Sequence, residues 1–393
     1  MNVKKITLFL FLSVPVFINI SIALEASSLY SPTWGFYLDL PEDYEYSDGD
    51  RRDRFSFVNP DGAAVDIVIY AAEQGSQAPY SSVYTLAQDV QQRLNSSGDT
   101  DFFDYANTEA AILELIFPNP ADRGRTIMTG WGLALELGSG EQGQNKPLLL
   151  ALAYGPQARQ DLQILHLSVL DSIAPTEAQR RYPGPITEYS YPRETRVNFS
   201  LWGLGEEASF YLEDEEASQA LINREFNVLK RYADTPIWED AWIRYYRAIY
   251  RDSCDRLANA AFIVERKLNY PVLEKREFAG KVLNWIQQFT YERDFLGADF
   301  ISLVSSIRDG RGDCDNLAML WALILNRTNI PAAMMVSREY SHAMGLADLS
   351  GSGARFEFAG RQWLVAETTA PVDLGLIGSD VSDTEYWLGI ILE

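Results

Sequence analysis

Residues 310–325 constrain the fold of this chain most strongly, because a glycine turn there runs directly into an apolar helix. Glycines at 310 and 312 permit backbone conformations that a side chain would forbid, and Asp313 is suited to cap the helix that follows. Cys314 then stands at the first helical turn, where unpaired N–H groups favour a thiolate. Asp313 and Asp315 disfavour that thiolate, so a reactive sulfur would need a nearby cation such as an imidazolium.

The chain contains only two histidines, which narrows the search for that cation. His342 lies in a short segment after Cys314 that is predicted to be a strand. A second predicted strand leads to Glu367, a carboxylate that is able to orient an imidazole. His166 instead lies in an apolar helical run with no acid or cysteine motif around it, so we expect it to be packed in a core.

Four segments occur in order along the chain: Gly310-Arg-Gly-Asp-Cys-Asp-Asn-Leu-Ala, Asn329-Ile-Pro-Ala, Ser341-His-Ala, and Trp363 with Glu367-Thr-Thr. Together they resemble the transglutaminase-like superfamily, over roughly residues 275 to 375. The resemblance implies a papain-like core, in which a helix carrying the cysteine packs on an antiparallel sheet carrying the histidine and the acid. The family includes transglutaminases, cysteine peptidases and amidases, together with members that have lost catalysis.

Two positions depart from the family pattern. Glu367-Thr-Thr stands where the family usually has Asp-Pro-Thr, and Met344 stands where it usually has an aromatic residue. The resemblance implies a triad of Cys314, His342 and Glu367 that transfers or hydrolyses the acyl group of a protein or peptide substrate, without a cofactor or metal. The alternative is a catalytically inactive binding or scaffold protein of the cell envelope, which the two carboxylates beside the cysteine favour.

A catalytic site of this kind also needs hydrogen-bond donors for the oxyanion formed on the substrate carbonyl. The backbone N–H of Cys314 is expected to be one donor. The sequence does not choose the second, and the candidates from the preceding helix are Trp285, Gln287, Gln288 and Tyr291.

The N-terminus has the pattern of a secretory signal peptide. Lys4 and Lys5 precede an uncharged apolar run over residues 6–20, and small residues at 21–23 suit a signal peptidase, which predicts a mature chain that begins near Leu24. An uncleaved membrane anchor is the alternative. We therefore expect export to the periplasm, cell envelope or extracellular space.

Export to an oxidising compartment makes a disulfide between the two cysteines possible, but we expect Cys314 to be a thiol and Cys254 a core residue.

The strongly acidic net charge of the chain argues against some classes of partner. The net charge of −22 makes nucleic acid and anionic membranes poor partners. An aromatic and arginine-rich stretch at residues 242–251 is interpreted as a packed helix with a solvated basic edge. With two histidines and one motif cysteine, a zinc site is not expected.

The fold class predicted from the order of elements is α+β. Residues 1–23 form the signal peptide, and residues 27–175 form a domain with an antiparallel sheet and helices on one face. Residues 176–270 form a linker, proline-rich at 175–192, and a helical segment, and residues 271–393 form the transglutaminase-like domain. The element order of the first domain also resembles the PsbP and Mog1 group, which would imply a docking role.

Overall fold

The structure is a computed structural model that describes residues 28–72, 78–138, 146–293, 298 and 300–392. The predicted signal peptide lies outside the described residues. Within these ranges, no helix has both the length and the hydropathy that crossing a bilayer requires.

The N-terminal part is built on an antiparallel sheet, as the sequence predicted. Seven described strands pair in the order β3-β4-β5-β9-β8-β7-β6, while β1 and β2 form a separate pair. The elements are β1 (Ser28–Tyr30), β2 (Tyr37–Asp39), β3 (Glu45–Gly49), β4 (Arg54–Val58), β5 (Ala64–Tyr70), α1 (Val83–Leu94), β6 (Thr100–Tyr105), β7 (Thr108–Pro118), β8 (Ile127–Glu136), β9 (Leu148–Pro156) and α2 (Gln163–Ser172).

The two helices of this part cover opposite faces of the sheet, which corrects the expectation that they share one face. Leu86 of α1 packs in one apolar cluster with Leu113 of β7, whereas Leu165 of α2 packs in another with Ile67 of β5. The side chains of β8 and β9 alternate between these two clusters because successive residues of a strand point to opposite faces. Apolar side chains on both faces therefore require a helix on each.

His166 lies on α2 and is fully buried, which confirms the prediction that it is packed in the core. Neither ring nitrogen has a hydrogen-bond partner among the described residues. Burial lowers the pKa of this imidazole to about 4, so it is neutral in the folded protein near pH 7.

Replacing His166 by leucine is expected to reduce the loss of stability on acidification. The folded imidazole titrates near pH 4 and the unfolded one near 6.5. Between those values only the unfolded chain takes up the proton, so stability is complete above pH 6.5 and falls as the pH falls. In urea denaturation, the parent should lose about 2 kcal/mol more than His166→Leu between pH 7 and pH 5. Equal losses in the two proteins would contradict this prediction.

The middle of the chain is helical. The passage at 175–192, predicted as a linker, is folded: a 3₁₀ turn at Ala178–Arg181 precedes α3, and residues 183–187 are buried. Pro185 occupies the first turn of α3, where its fixed φ suits a helix and its missing N–H is not needed. The elements are α3 (Pro185–Ser190), β10 (Arg196–Leu201), β11 (Glu206–Tyr211), α4 (Asp214–Tyr232), α5 (Trp238–Arg256) and α6 (Ala258–Lys267).

Buried ion pairs join this helical segment to the N-terminal part of the chain. Arg244 of α5 is 4% exposed. It donates to Glu42 at 2.8 Å and to Glu225 of α4 at 2.7 Å. On α4, Arg224 also pairs with Glu225 and with Asp171 of α2. The prediction that the basic edge of this helix is solvated is therefore wrong for Arg244, because acidic residues distant in sequence enclose its guanidinium.

The C-terminal part contains a second antiparallel sheet, whose described strands pair in the order β16-β17-β15-β14-β18. The elements are α7 (Lys275–Ile286), β12 (Thr290–Tyr291), α8 (Leu303–Asp309), β13 (Arg311–Gly312), α9 (Cys314–Arg327), β14 (Ala332–Ser337), β15 (His342–Ala347), β16 (Arg355–Phe358), β17 (Arg361–Ala366) and β18 (Leu388–Ile390).

Helix α9 lies closely against β14 and β15. The indole of Trp321 is fully buried on this interface and faces Gly345. A Cβ atom at Gly345 would come within 2.5 Å of the Trp321 ring, so glycine is required for the close approach. This packing sets the first residue of α9 beside the start of β15.

Candidate active site at the start of helix α9

Cys314 is the first residue of α9, as the sequence predicted. Asp313 caps the helix by accepting a hydrogen bond from the Asn316 N–H at 3.0 Å, and the Asn316 side chain accepts one from the Asp313 N–H at 3.1 Å. This reciprocal cap fixes the chain at the point where the loop becomes a helix. Cys314 is 4% exposed and forms no disulfide with Cys254, so the expectation of a thiol is confirmed.

The loop before the cysteine is held by a short parallel ladder between β12 and β13. The Thr290 N–H donates to Gly310 and the Glu292 N–H donates to Gly312. Gly310 has a φ of 64°, and a Cβ atom there would lie 2.3 Å from the ring of Trp202. The positive φ and the close approach of the Trp202 ring both require glycine at this position. The ladder brings Tyr291 next to the cysteine.

The sulfur of Cys314 lies in a predominantly acidic environment. Its thiol donates to Asp315 at 3.6 Å, and the other carboxylate oxygen of Asp315 accepts from the Tyr246 hydroxyl at 2.6 Å. Burial, and then the charges of Asp315 and Asp313, raise the pKa of the thiol, while the Ala343 N–H and Arg293 oppose them with smaller effects. In this arrangement Cys314 is therefore a neutral thiol.

His342 and Glu367 form a hydrogen-bonded pair. His342 is the first residue of β15 and Glu367 follows the last residue of the neighbouring β17, and His342 Nε2 lies 2.8 Å from Glu367 Oε2. Thr369 donates its N–H and its hydroxyl to the other oxygen, Oε1. Burial opposes ionisation of Glu367, but these hydrogen bonds lower the pKa of the carboxyl below its usual value. The glutamate side chain at this position therefore reaches the imidazole.

The Glu367 contact uses Nε2 of His342, so Nδ1 is the nitrogen left to exchange a proton with a nucleophile. The indole of Trp387 packs edge-on against the imidazole, with the ring centroids 6.2 Å apart. The Ala343 N–H, one residue after His342, forms a hydrogen bond with the Cys314 sulfur. The structure thus brings the histidine and the acid into direct contact and sets the sulfur beside the backbone that follows the histidine.

Among the four candidates for the second oxyanion donor, three donate their side-chain N–H groups to backbone carbonyls. Trp285 donates to Trp202, Gln287 to Glu367, and Gln288 to Asn284. Tyr291 is half exposed, and its hydroxyl lies close enough to Cys314 to interact with it electrostatically. Burial raises the pKa of Tyr291 to about 12, so the hydroxyl keeps its proton. Tyr291 is the candidate that the geometry favours.

Sequence reasoning missed several residues that support the site. Tyr246 of α5 holds the Asp315 carboxylate, and Trp387 covers His342, although neither belongs to the motif segments. Thr369 had a weak signal, because it lies within the Glu-Thr-Thr segment itself.

In the described part of the chain, no group of three or more His, Cys, Asp or Glu side chains is arranged to hold a metal ion.

Comparisons with known proteins add little to this site. No family model matches the chain, and no curated protein matches it either. A crystal structure from Bacteroides thetaiotaomicron is similar at a TM-score of 0.26 and 13% identity, over 60% of this chain and 79% of that one. CyanoP, the PsbP protein of Synechocystis sp. PCC 6803, is similar at a TM-score of 0.27 and 12% identity, over 41% of this chain and 99% of that one. These scores are too low to support an inference about fold or function.

Proposed function

We propose that this protein is a thiol-dependent acyltransferase or amide hydrolase with a papain-like core of the transglutaminase-like type. Cys314 is the nucleophile, His342 the general base and Glu367 the residue that orients the imidazole. The observation that carries the proposal is the 2.8 Å pair of His342 and Glu367, with His342 on a strand that packs against the helix headed by Cys314. The substrate is a protein or peptide, and the N-terminal pattern supports an exported enzyme.

In the first half-reaction, Nδ1 of His342 takes the thiol proton and the Cys314 sulfur attacks the carbonyl carbon of an amide. The negative charge that forms on the carbonyl oxygen is stabilised by the Cys314 N–H and the Tyr291 hydroxyl. The imidazolium then gives its proton to the amide nitrogen as the C–N bond breaks. An amine leaves, and the acyl group stays on Cys314 as a thioester.

In the second half-reaction, water or a second amine attacks the thioester while His342 takes its proton. The C–S bond breaks and the imidazolium returns the proton to the sulfur. Water yields a carboxylic acid and a second amine yields a new amide, with the thiol restored in each case. Substrate binding has to move the thiol from its contact with Asp315 to His342, because the acidic neighbours keep it neutral otherwise.

The same neutral thiol favours a second candidate function, a non-catalytic binding or scaffold protein. A cysteine that is 4% exposed and has a raised pKa is a poor nucleophile without an imidazolium beside it. In that case the core would position surfaces for a partner in the cell envelope.

Acylation of Cys314 by an activated ester distinguishes the two functions. We expect p-nitrophenyl acetate to release p-nitrophenolate and to leave an acetyl group on Cys314, detected by peptide mass spectrometry. Cys314→Ala should abolish this adduct, whereas Cys254→Ser should retain it, since Cys254 is buried on α5 away from the motif. An unmodified Cys314 in the parent protein would favour the scaffold.

A further inference from the structure

A positively charged cavity lies where the N-terminal part meets α5, in a chain whose net charge is −22. Its volume is about 120 Å³, and its walls come from β2, the end of α2, the following 3₁₀ turn and α5. Four of its lining side chains are guanidiniums and two are carboxylates. The charged residues that line it are Arg180, Arg181, Arg247, Arg251, Asp39 and Glu177.

Among the described residues, no carboxylate forms a salt bridge with the guanidiniums of Arg247 and Arg251. Arg251 donates to backbone carbonyls, among them Tyr182 at 3.1 Å and Ile173 at 3.0 Å. Arg247, one turn earlier on α5, donates Nε to the carbonyl of Ile391 at 3.3 Å. Their hydrogen bonds therefore hold them in place without cancelling their charge.

The opposite wall carries a third guanidinium in a fixed position. Arg180 lies over the ring of Tyr37, 4.6 Å from its centroid, and pairs with Glu177 at 3.2 Å. Stacking holds the guanidinium in one plane and leaves its N–H edges for an acceptor. Like charges gathered in a partly enclosed site repel each other, and a bound anion removes that repulsion.

We propose that this cavity binds a small oxyanion of the phosphate class, either inorganic phosphate or the phosphate group of a small metabolite. Phosphate carries between one and two negative charges near pH 7, which suits the guanidiniums of Arg247 and Arg251, whereas a monocarboxylate offers one charge. Its tetrahedral oxygens accept the forked N–H groups of arginine, with Arg247 and Arg180 as the main donors. The bound anion would join β2 to α5 across the boundary between the two parts of the chain.

Calorimetric titration of the full chain with inorganic phosphate, at an ionic strength kept constant with sodium chloride, tests the proposal. We expect one saturable site that Arg247→Gln weakens by about 10-fold or more, because each charge-assisted hydrogen bond contributes strongly. Arg180→Gln should also weaken it, and this second variant keeps the test decisive if Arg247→Gln does not fold. The matched control is Arg266→Gln on α6, whose side chain is 63% exposed, and which should change the affinity less than about twofold.

Three results would overturn the proposal. One is the absence of saturable binding up to about 10 mM phosphate. Another is an equal effect of Arg247→Gln and Arg266→Gln. The third is competition by acetate as effective as that by phosphate, since it would show that the site does not require a second negative charge. Comparing the affinities for inorganic phosphate and glycerol phosphate separates the two sources of the ligand. Tighter binding of glycerol phosphate would identify the ligand as a phosphorylated metabolite, and tighter binding of inorganic phosphate would identify it as the free ion.

Discussion

Replacing Arg244 by methionine is expected to lower the free energy of unfolding by about 3 to 5 kcal/mol. The side chain of Arg244 is 5% exposed and those of Glu42 and Glu225 are 2% exposed, so the variant would leave carboxylates buried without their partner. Glu225 keeps a second guanidinium, that of Arg224, at 2.8 Å. Glu42 has no such replacement among the ion pairs of the described residues, and most of the loss should therefore arise there.

The cost of Arg244→Met should increase with pH. Burial raises the pKa of Glu42 even in the presence of Arg244, which lowers it to a smaller extent. Without Arg244 the folded-state pKa rises further above its unfolded value, so the folded carboxyl keeps a proton that the unfolded chain has released. A raised carboxyl pKa costs stability as the pH rises through the unfolded value near 4.5 and towards the folded one. Urea denaturation at pH 5 and pH 8 measures this difference.

Two controls separate the buried charge from a general effect of losing arginine. Arg266→Met removes a guanidinium that is 63% exposed and should change the free energy of unfolding by less than about 0.5 kcal/mol. Adding Glu42→Gln to Arg244→Met should recover part of the loss, because the amide has no charge to bury. If Arg244→Met behaved like Arg266→Met, the buried pair would not connect the two parts of the chain as described.

Replacing His342 by alanine is expected to slow the acylation of Cys314 by about 10² to 10⁴-fold. The acidic neighbours of the sulfur oppose its ionisation, so the reaction depends on the base that removes the thiol proton. Glu367→Gln should have a smaller effect, because an amide oxygen still accepts a hydrogen bond from Nε2 while the negative charge that favours an imidazolium is lost. The measurement is the rate at which acetylated Cys314 forms with p-nitrophenyl acetate.

The pH dependence of that rate distinguishes loss of the base from damage to the fold. A parent rate that depends on His342 as a base should exceed that of His342→Ala at a pH where an isolated thiol is still protonated, whereas the residual rate of His342→Ala should rise only at the higher pH where the thiol itself ionises. Glu385→Gln, at an exposed residue of the Thr384–Tyr386 turn, is the control and should match the parent. Equal rates for the parent and His342→Ala would remove His342 from the mechanism.

The local features of this fold were predictable from sequence because they depend on residues that are neighbours in the chain. Helix α1 (Val83–Leu94) depends on apolar spacing and on a Ser82 cap, both of which act within a few residues. The Asp313 cap and the position of Cys314 at the start of α9 follow from the same kind of interaction. Glycine at 310 was likewise expected for its conformational freedom, and the structure added the packing of Trp202 as a second reason.

Only the tertiary structure decided which distant groups meet. The order of Cys314, His342 and Glu367 indicated a triad, but packing of strands β15 and β17 determined that Nε2 binds the acid. Packing also engaged Trp285, Gln287 and Gln288 with carbonyls and left Tyr291 beside the sulfur. The sequence by itself determined the α+β elements and the helix that carries the cysteine, because periodicity and capping are local. The helices on both faces of the first sheet, the buried Arg244 and the neutral Cys314 depend on burial and on charges from distant segments, which local patterns do not contain.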